Sequence, residues 1–476
     1  MSTMSREERI RRKKREKRRR VNRIYQIMAI LFVVCLAAAV IANLIKKDVE
    51  FSESENRMLT ERPKLNLQDV ASGEYMSQFE SYVSDQFILR DSWIQLKLNL
   101  DKLTGKKESN GVYLGKDGFL MEKLDEPNTE YEEKNLKEIG DFADRHQDLN
   151  VCMTLVPNAA YILKDKMPKN APVRDQAEDL KKVQAEVGSK LNFVDVTETM
   201  QKHASEPIYY KTDHHWTSLG AKYVFEDMIE DLNIAPTENY EVYTVTTSFS
   251  GTLASKSGYH GQKDTIEVYE PQGVDNDYVV FYADDQKKTT SIYNADSLKE
   301  KDQYTVFFGG NHTRIDIDSP NPDNRCLLMF KDSYANSFVQ FLTPYYRKII
   351  VIDPRYYYDN VEQIIASEKV TDVLFLYNLN TFLTDTSLAD VLTPQEDTET
   401  DGQEGTTEGG AAGEDLLDKS AEREDTGETS EESAEGEDTG EISEESTEGE
   451  DAGDTSEESD TDENAEGEDD EVDSEE

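Results

Sequence analysis

The chain has 476 residues and a net charge of −48, spread too unevenly for a single count of domains to hold along its length. Residues 6–23 carry twelve Lys or Arg against three Glu, a net of +9; residues from Glu396 onward carry 38 Asp or Glu against two basic residues, a net of −36, which leaves −21 for the rest. An acidic body argues against a nucleic-acid partner, and three cysteines without CxxC or Cys/His spacing argue against a zinc site.

The basic segment, 1–23, is followed by 22 uncharged residues, Ile24 to Ile45, closed by Lys46 and Lys47. That length spans a bilayer core as a helix, and the heavier basic flank stays cytoplasmic. Small residues in "AAAVIAN" offer a peptidase site, but a signal peptide has an apolar core of only about 7–15 residues. The segment 24–45 therefore reads as an uncleaved single-pass anchor in the cell membrane, with the body extracytoplasmic.

Next comes a helical stretch, "YMSQFESYVSDQFILRDSWIQLKLNLDKLTG", whose apolar residues recur at spacings of three and four. "NGVYLGKDGFLM" reads as a hairpin turning at Lys116, Asp117 and Gly118. Beyond it, "NVCMTLVPN", "AEDLKKVQAEVGSKL", "NFVDV" and "SLGAKYVFEDMIEDL" alternate strand and helix, and the alternation resumes in "CLLMF", "YANSFVQFL", "KIIVID", "NVEQIIASE" and "VLFLYN". Short continuous apolar runs between helices predict a parallel sheet covered on both faces, an α/β three-layer sandwich. Between the halves, about 235–320, segments such as "YEVYTV", "DYVVFYA" and "YTVFFGG" predict a small β-rich insertion lining or covering a groove. Cys152 and Cys326 sit in buried-strand runs and read as free thiols. From 396 to 476 a 13-residue acidic unit recurs with almost no apolar residue to bury, which predicts a disordered tail.

Two junctions carry chemistry. In "TDHHWT", Asp213 and His215 are two apart, so in an extended segment they point to one side. A carboxylate there holds the Nδ1 proton and leaves Nε2 as a base. The plainer alternative is that Asp213, Thr217 and Ser218 cap the next helix while His214 and Trp216 pack. In "CLLMFKDSYANSFVQFL", Ser333 follows a buried strand and precedes an apolar-periodic stretch, the end of a parallel sheet where ligands and anions bind. Ser333 is thus a candidate nucleophile or an N-cap, and the Tyr334 amide a candidate oxyanion donor.

"TDHHWT" resembles the signature of DHHW proteins, and the D-x-H-W core with a downstream strand-Asp-Ser segment is similar to the SGNH-like domain of alginate O-acetyltransferases. "ENRML" at Glu55, "FILRD", "NGVYLGKDGFL", "LVPNAAYI", "FSGTLASKS" and "LYNLNTF" agree in order, so the resemblance covers about 50–388. It implies Asp213 as orienting acid, His215 as base and Ser333 as nucleophile, with Trp216 supporting the loop and His214 in a variable place. Gly and Asn oxyanion blocks are not identifiable by motif; Asn336 and Asn378 are the candidates, with Asn378 equally placed to cap or turn the chain. The resemblance further implies O-acetyl transfer to a cell-surface polysaccharide or exopolysaccharide, acyl supply by a polytopic membrane O-acyltransferase, and no cofactor or metal.

Three alternatives remain open at this level. Water in place of the sugar hydroxyl makes the protein an acetylesterase. An Asp-His-His run also occurs in metal-dependent phosphoesterases, but these need acidic ligands on an earlier strand; "NVCMTLVPN" supplies none and Asp195 is the only substitute. A non-catalytic glycan-binding or cell-wall scaffold would keep the fold alone.

Overall fold

The computed structural model describes residues 6–52, 57–235, 239–274 and 276–394. The acidic tail predicted for 396–476 lies outside the described residues, as does part of "ENRML". Helix α1 (Arg6–Ile45) contains one span long and apolar enough to cross a membrane, and none of that span is buried against the rest of the chain.

The helical stretch that follows is two helices, α2 (Glu74–Asp85) and α3 (Arg90–Leu103), because Leu89 between them adopts a left-handed φ of 55°. The hairpin forms as expected from β1 (Val112–Leu114) and β2 (Leu120–Glu122). The α/β body then runs α4 (Thr129–Arg145), β3 (Asn150–Val156), α5 (Gln176–Val187), β4 (Asn192–Phe193) and α6 (Ser218–Met228). After β5 (Tyr240–Phe249), β6 (Asp264–Pro271), β7 (Val279–Tyr282), β8 (Lys287–Thr289) and β9 (Arg314–Asp318), it closes with β10 (Cys326–Lys331), β11 (Lys348–Ile352), α7 (Val361–Glu368) and β12 (Asp372–Asn378).

The main sheet has eight strands in the order β8-β7-β9-β11-β10-β12-β3-β4. From β11 to β4 the pairing is parallel, with Leu328 of β10 opposite Ile350 and Val373. Alternate side chains divide between two cores, as the twofold strand repeat requires. Met153, Leu328, Phe330, Val373 and Phe375 pack with Leu136, Ile139 and Phe142 of α4 and Leu180 and Val183 of α5. Cys152, Met329, Val351 and Leu374 pack on the other face with Val224, Phe225 and Met228 of α6. This is the three-layer α/β sandwich that the alternation predicts. Cys152 and Cys326 are both free and buried, and they belong to opposite cores.

Three expectations need correction. The sheet is mixed: β9 pairs antiparallel with β11, placing Ile315 opposite Val351, and carries β7 and β8 beyond it. Much of the expected β-rich insertion is therefore sheet extension, and among its described residues only the antiparallel pair β5–β6 forms a sheet of its own. "YTVFFGG" is not a strand. Its start is a 3₁₀ turn, Gln303–Val306, and positive φ at Phe308, Gly309 and Gly310 reverses the chain. "YANSFVQFL" forms two 3₁₀ turns, Ser333–Ser337 and Val339–Phe341, where polar side chains compete for the backbone: Asp332 accepts from the Tyr334 amide, and Gln340 donates to the Ser337 carbonyl.

Candidate functional site

The loop before α6 is pinched at its neck by an isolated antiparallel bridge between Tyr209 and Trp216, with the Tyr210 amide donating to the His215 carbonyl at 3.2 Å. Residues 211–215 are bends, not the extended strand expected from the sequence. Asp213 and His215 still meet, because the carboxylate folds back onto the following turn. Asp213 Oδ1 accepts from the His215 amide at 3.0 Å and lies 2.6 Å from His215 Nδ1. Its Oδ2 accepts from the amide and hydroxyl of Thr252 at 2.7 and 3.0 Å.

His215 Nε2 lies 2.8 Å from Ser333 Oγ. A carboxylate only accepts, so Nδ1 carries the proton toward Asp213 and Nε2 is left to accept from the serine hydroxyl. Ser333 stands just past the end of β10, flanked in the sheet by β11 and β12. Asp213 and His215 are buried, whereas Ser333 is half-exposed. Burial opposes ionisation of Asp213, but its electrostatic interaction with the adjoining His214 and His215 rings and the bonds from His215 and Thr252 outweigh it and hold the carboxyl well below its usual range.

His214 places Nδ1 2.8 Å from Thr252 Oγ1, packs against the His215 ring at 3.9 Å, and keeps 31 % of its side chain exposed. Burial, and then the neighbouring His215, push its pKa down. Trp216 is fully buried, and its indole N–H donates to the Tyr334 carbonyl at 2.9 Å. The Tyr334 hydroxyl in turn donates to the His214 carbonyl, so these two residues lace the two chemical segments together. Thr217, not Ser333, is an N-cap: its hydroxyl accepts from the Gly220 amide at 3.3 Å at the start of α6.

The oxyanion candidates fare unequally. The Tyr334 amide already donates to Asp332 Oδ1 at 3.0 Å. The Asn378 side chain donates to the Val156 carbonyl at 3.2 Å and accepts from Asn158, Asn380 and Thr381, which makes it the cap of the short helix Leu379–Thr384. Asn336 is buried, donates to Asn311 Oδ1 at 3.3 Å, and has a carbonyl oxygen without a partner. The unpartnered atom of Asn336 is an acceptor, which an oxyanion cannot use, but its Nδ2, like that of Asn378, carries a second hydrogen beyond the bond just given.

Four residues near the site had not been singled out. Gly251 passes so close to Asp213 that a Cβ there would lie 2.2 Å from Oδ2. Thr252 follows it. Tyr304 stacks on His215. Glu122, on β2, lies 3.5 Å from Asn158 Nδ2, and burial pushes its carboxyl up against the opposing charge of His214. Gly251 and Thr252 lie in "FSGTLASKS" and Glu122 just after "NGVYLGKDGFL", so the resemblance marked their neighbourhood without assigning a role; Tyr304 begins "YTVFFGG", which had been read only as an insertion strand.

Among the described residues, Asp213, His214 and His215 place possible metal-donor atoms within 4.8 Å of one another. Both His215 nitrogens and His214 Nδ1 are engaged by Asp213, Ser333 and Thr252, so a cation would have to break the chain just described.

Residues 112–312 match the family model for the SGNH hydrolase-like domain of the acetyltransferase AlgX. A crystal structure of a DHHW family protein from Eubacterium siraeum superposes with a TM-score of 0.52 at 24 % identity, covering 60 % of this chain and 95 % of that one. PatB1 from Bacillus cereus (TM-score 0.49, 19 % identity, 58 % and 96 % covered) and the O-acetyltransferase domain of Pseudomonas putida AlgJ (0.37, 15 %, 59 % and 94 %) match more loosely. No curated protein sequence matches. Residues 112–312 are thus similar to the SGNH hydrolase-like domain of the acetyltransferase AlgX, and the chain shares its fold with a DHHW family protein.

Proposed function

We propose that the protein is a membrane-anchored O-acetyltransferase whose domain, about residues 50–388, works outside the cytoplasmic membrane on a cell-surface polysaccharide. The observation that carries this reading is the unbroken hydrogen-bonded path from Asp213 through His215 to Ser333. Ser333 Oγ attacks the carbonyl carbon of an acetyl donor while its proton passes to His215 Nε2. The donor's leaving group departs with that proton, and acetyl-serine remains. A sugar hydroxyl then attacks the acetyl carbon and gives its proton to the same nitrogen, and Ser333 leaves and is reprotonated. Asp213 keeps the ring in register and stabilises the imidazolium. The second Nδ2 hydrogen of Asn336, on a buried side chain three residues past Ser333, is the donor we assign to the developing oxyanion. Donor supply falls to a polytopic membrane acyltransferase, with the 24–45 anchor and cytoplasmic 1–23 segment keeping the domain beside it.

Incubating the full-length, detergent-solubilised protein with a chromogenic acetate ester and an oligosaccharide acceptor tests this. The expected results are ester turnover, acetylated sugar, and an intact-protein mass increased by one acetyl group, with Ser333→Ala and His215→Ala folded but inactive. Wild-type activity in both variants would refute the triad. Turnover without acetylated sugar would make the protein an esterase, and glycan binding without turnover a scaffold.

A further inference from the structure

Helix α3 has two faces with different fates. Its inner face is used by the domain: Leu98 is buried, Gln95 donates to the Gly258 carbonyl, and Lys102 lies 3.7 Å over the Tyr259 ring. On the opposite side Leu89, just before the helix, and Trp93, Leu96, Leu100 and Leu103 follow one another at spacings of four and three. These five are between 46 % and 84 % exposed. Such spacing puts them in one stripe, and a stripe of large apolar side chains left in water is unfavourable unless something covers it.

The chain itself indicates the cover. The elbow between α2 and α3 is fastened to the end of α1, the helix long enough to cross a bilayer. The Ile88 amide donates to Asn43 Oδ1 at 2.9 Å, and Lys46 Nζ donates to the Gln86 carbonyl at 3.3 Å. The Gln86 side chain also pairs with both backbone groups of Val49, at 2.8 and 2.9 Å. Lys46, Phe87 and Leu89 border one shallow recess. The stripe therefore begins where the apolar span ends. A Leu-rich face with a tryptophan at that level, with Lys97 beside it and Lys106 and Lys107 just beyond, has the composition of a helix lying in the headgroup layer.

We infer that α3 is an interfacial membrane helix: its Trp93-Leu96-Leu100-Leu103 stripe rests in the bilayer surface and holds the domain at a fixed tilt on the membrane. This rests on the reading of α1 as an anchor. It adds a second, non-spanning contact that a flexible tether would not make.

The chain has two tryptophans, and Trp216 is fully buried in the domain, so the difference between wild type and Trp93→Phe isolates the Trp93 signal. The full-length protein is reconstituted into vesicles of phosphatidylcholine and phosphatidylglycerol, with and without bromines near the headgroups. Trp93 emission is expected to be blue-shifted, mostly quenched by the brominated lipid and shielded from acrylamide. The double variant Leu96→Asp, Leu100→Asp, altered only at exposed positions, should reverse all three effects while resisting alkaline carbonate extraction. A wild-type chain that resists carbonate but leaves Trp93 unquenched and open to acrylamide overturns the inference and leaves the anchor standing. Shielding in native membranes but not in pure lipid also overturns it, in favour of a protein partner. Release by carbonate overturns the anchor itself, and the inference with it.

Discussion

Tyr304 lies flat on His215, with ring centroids 3.9 Å apart and planes 13° from parallel, while its hydroxyl donates to the Ser333 carbonyl at 3.0 Å. One buried side chain thus sets the plane of the imidazole and braces the backbone of the serine. Tyr304→Phe keeps the stack and loses a bond of about 1 kcal/mol, so turnover should fall by less than about tenfold. Tyr304→Ala also opens a cavity, and should lower unfolding stability by about 3–5 kcal/mol and turnover well beyond the Phe variant. Steady-state kinetics with denaturant titration compares the two; equal turnover in both would remove the stacking argument.

Gly251 has an ordinary φ of −78°, so space and not backbone freedom requires glycine there. In Gly251→Ala the new methyl would sit 2.2 Å from Asp213 Oδ2 and push the carboxylate off His215. A displacement near 1 Å at such a site costs about 100-fold in rate, and that loss in kcat is expected with little change in KM. Unaltered kcat would mean that the loop moves instead of Asp213.

His214 and Trp216 should separate activity from stability. His214→Ala removes a partly exposed ring that touches His215 but ends on Thr252, and should cost less than about tenfold in turnover. Trp216→Phe leaves the Tyr334 carbonyl without its indole donor in a fully buried setting, and should lower stability by about 2 kcal/mol. Thermal unfolding and turnover measured on both variants would expose a reversed ranking.

A pH-dependent contribution to stability is expected from Asp302. Burial, and then the charge of Asp213, push its carboxyl up to about 6, against the hydrogen bond from the Tyr304 amide. In the unfolded chain an aspartate titrates near about 4. The folded state holds this proton more tightly, so the stability it contributes is fully present below about pH 4 and lost as pH rises through about 6. Asp302→Asn keeps the cap on Tyr304 and should therefore gain on wild type by about 1 kcal/mol at pH 7, a figure reduced for the half-exposed position. No gain is expected at pH 4. Denaturant titrations at the two pH values give the difference directly.

Asp213 behaves in the opposite sense. Its depressed carboxyl stabilises the fold above about pH 4, and that contribution fades only as pH falls through its lower folded value.

The legible parts of the fold were those written in local periodicity: β3, β10, β11 and β12 as continuous apolar runs, and α5, α6 and α7 as amphipathic stretches, whereas α4 (Thr129–Arg145) was not read from the sequence. Strand direction was less legible, because "RIDID" at Arg314 alternates alike whether it runs with or against β11. The 3₁₀ turns after Ser333 were misread as a helix because apolar spacing does not register the side chains that compete for the backbone there. At the site, the Asp213–His215 contact had been expected from an extended segment and arises instead from a turn closed by Thr252, 39 residues further along the chain.

By itself, the sequence determined the candidate acid, base and nucleophile, the apolar span and the α/β alternation, since residue type, length and periodicity are local properties. Only the tertiary structure decided that Ser333 and His215 stand 2.8 Å apart across 118 residues, that Gly251 yields the space Asp213 occupies, and that Tyr304 covers the ring. Those contacts depend on which ends of which strands the packed core brings together, and no spacing along the chain records that.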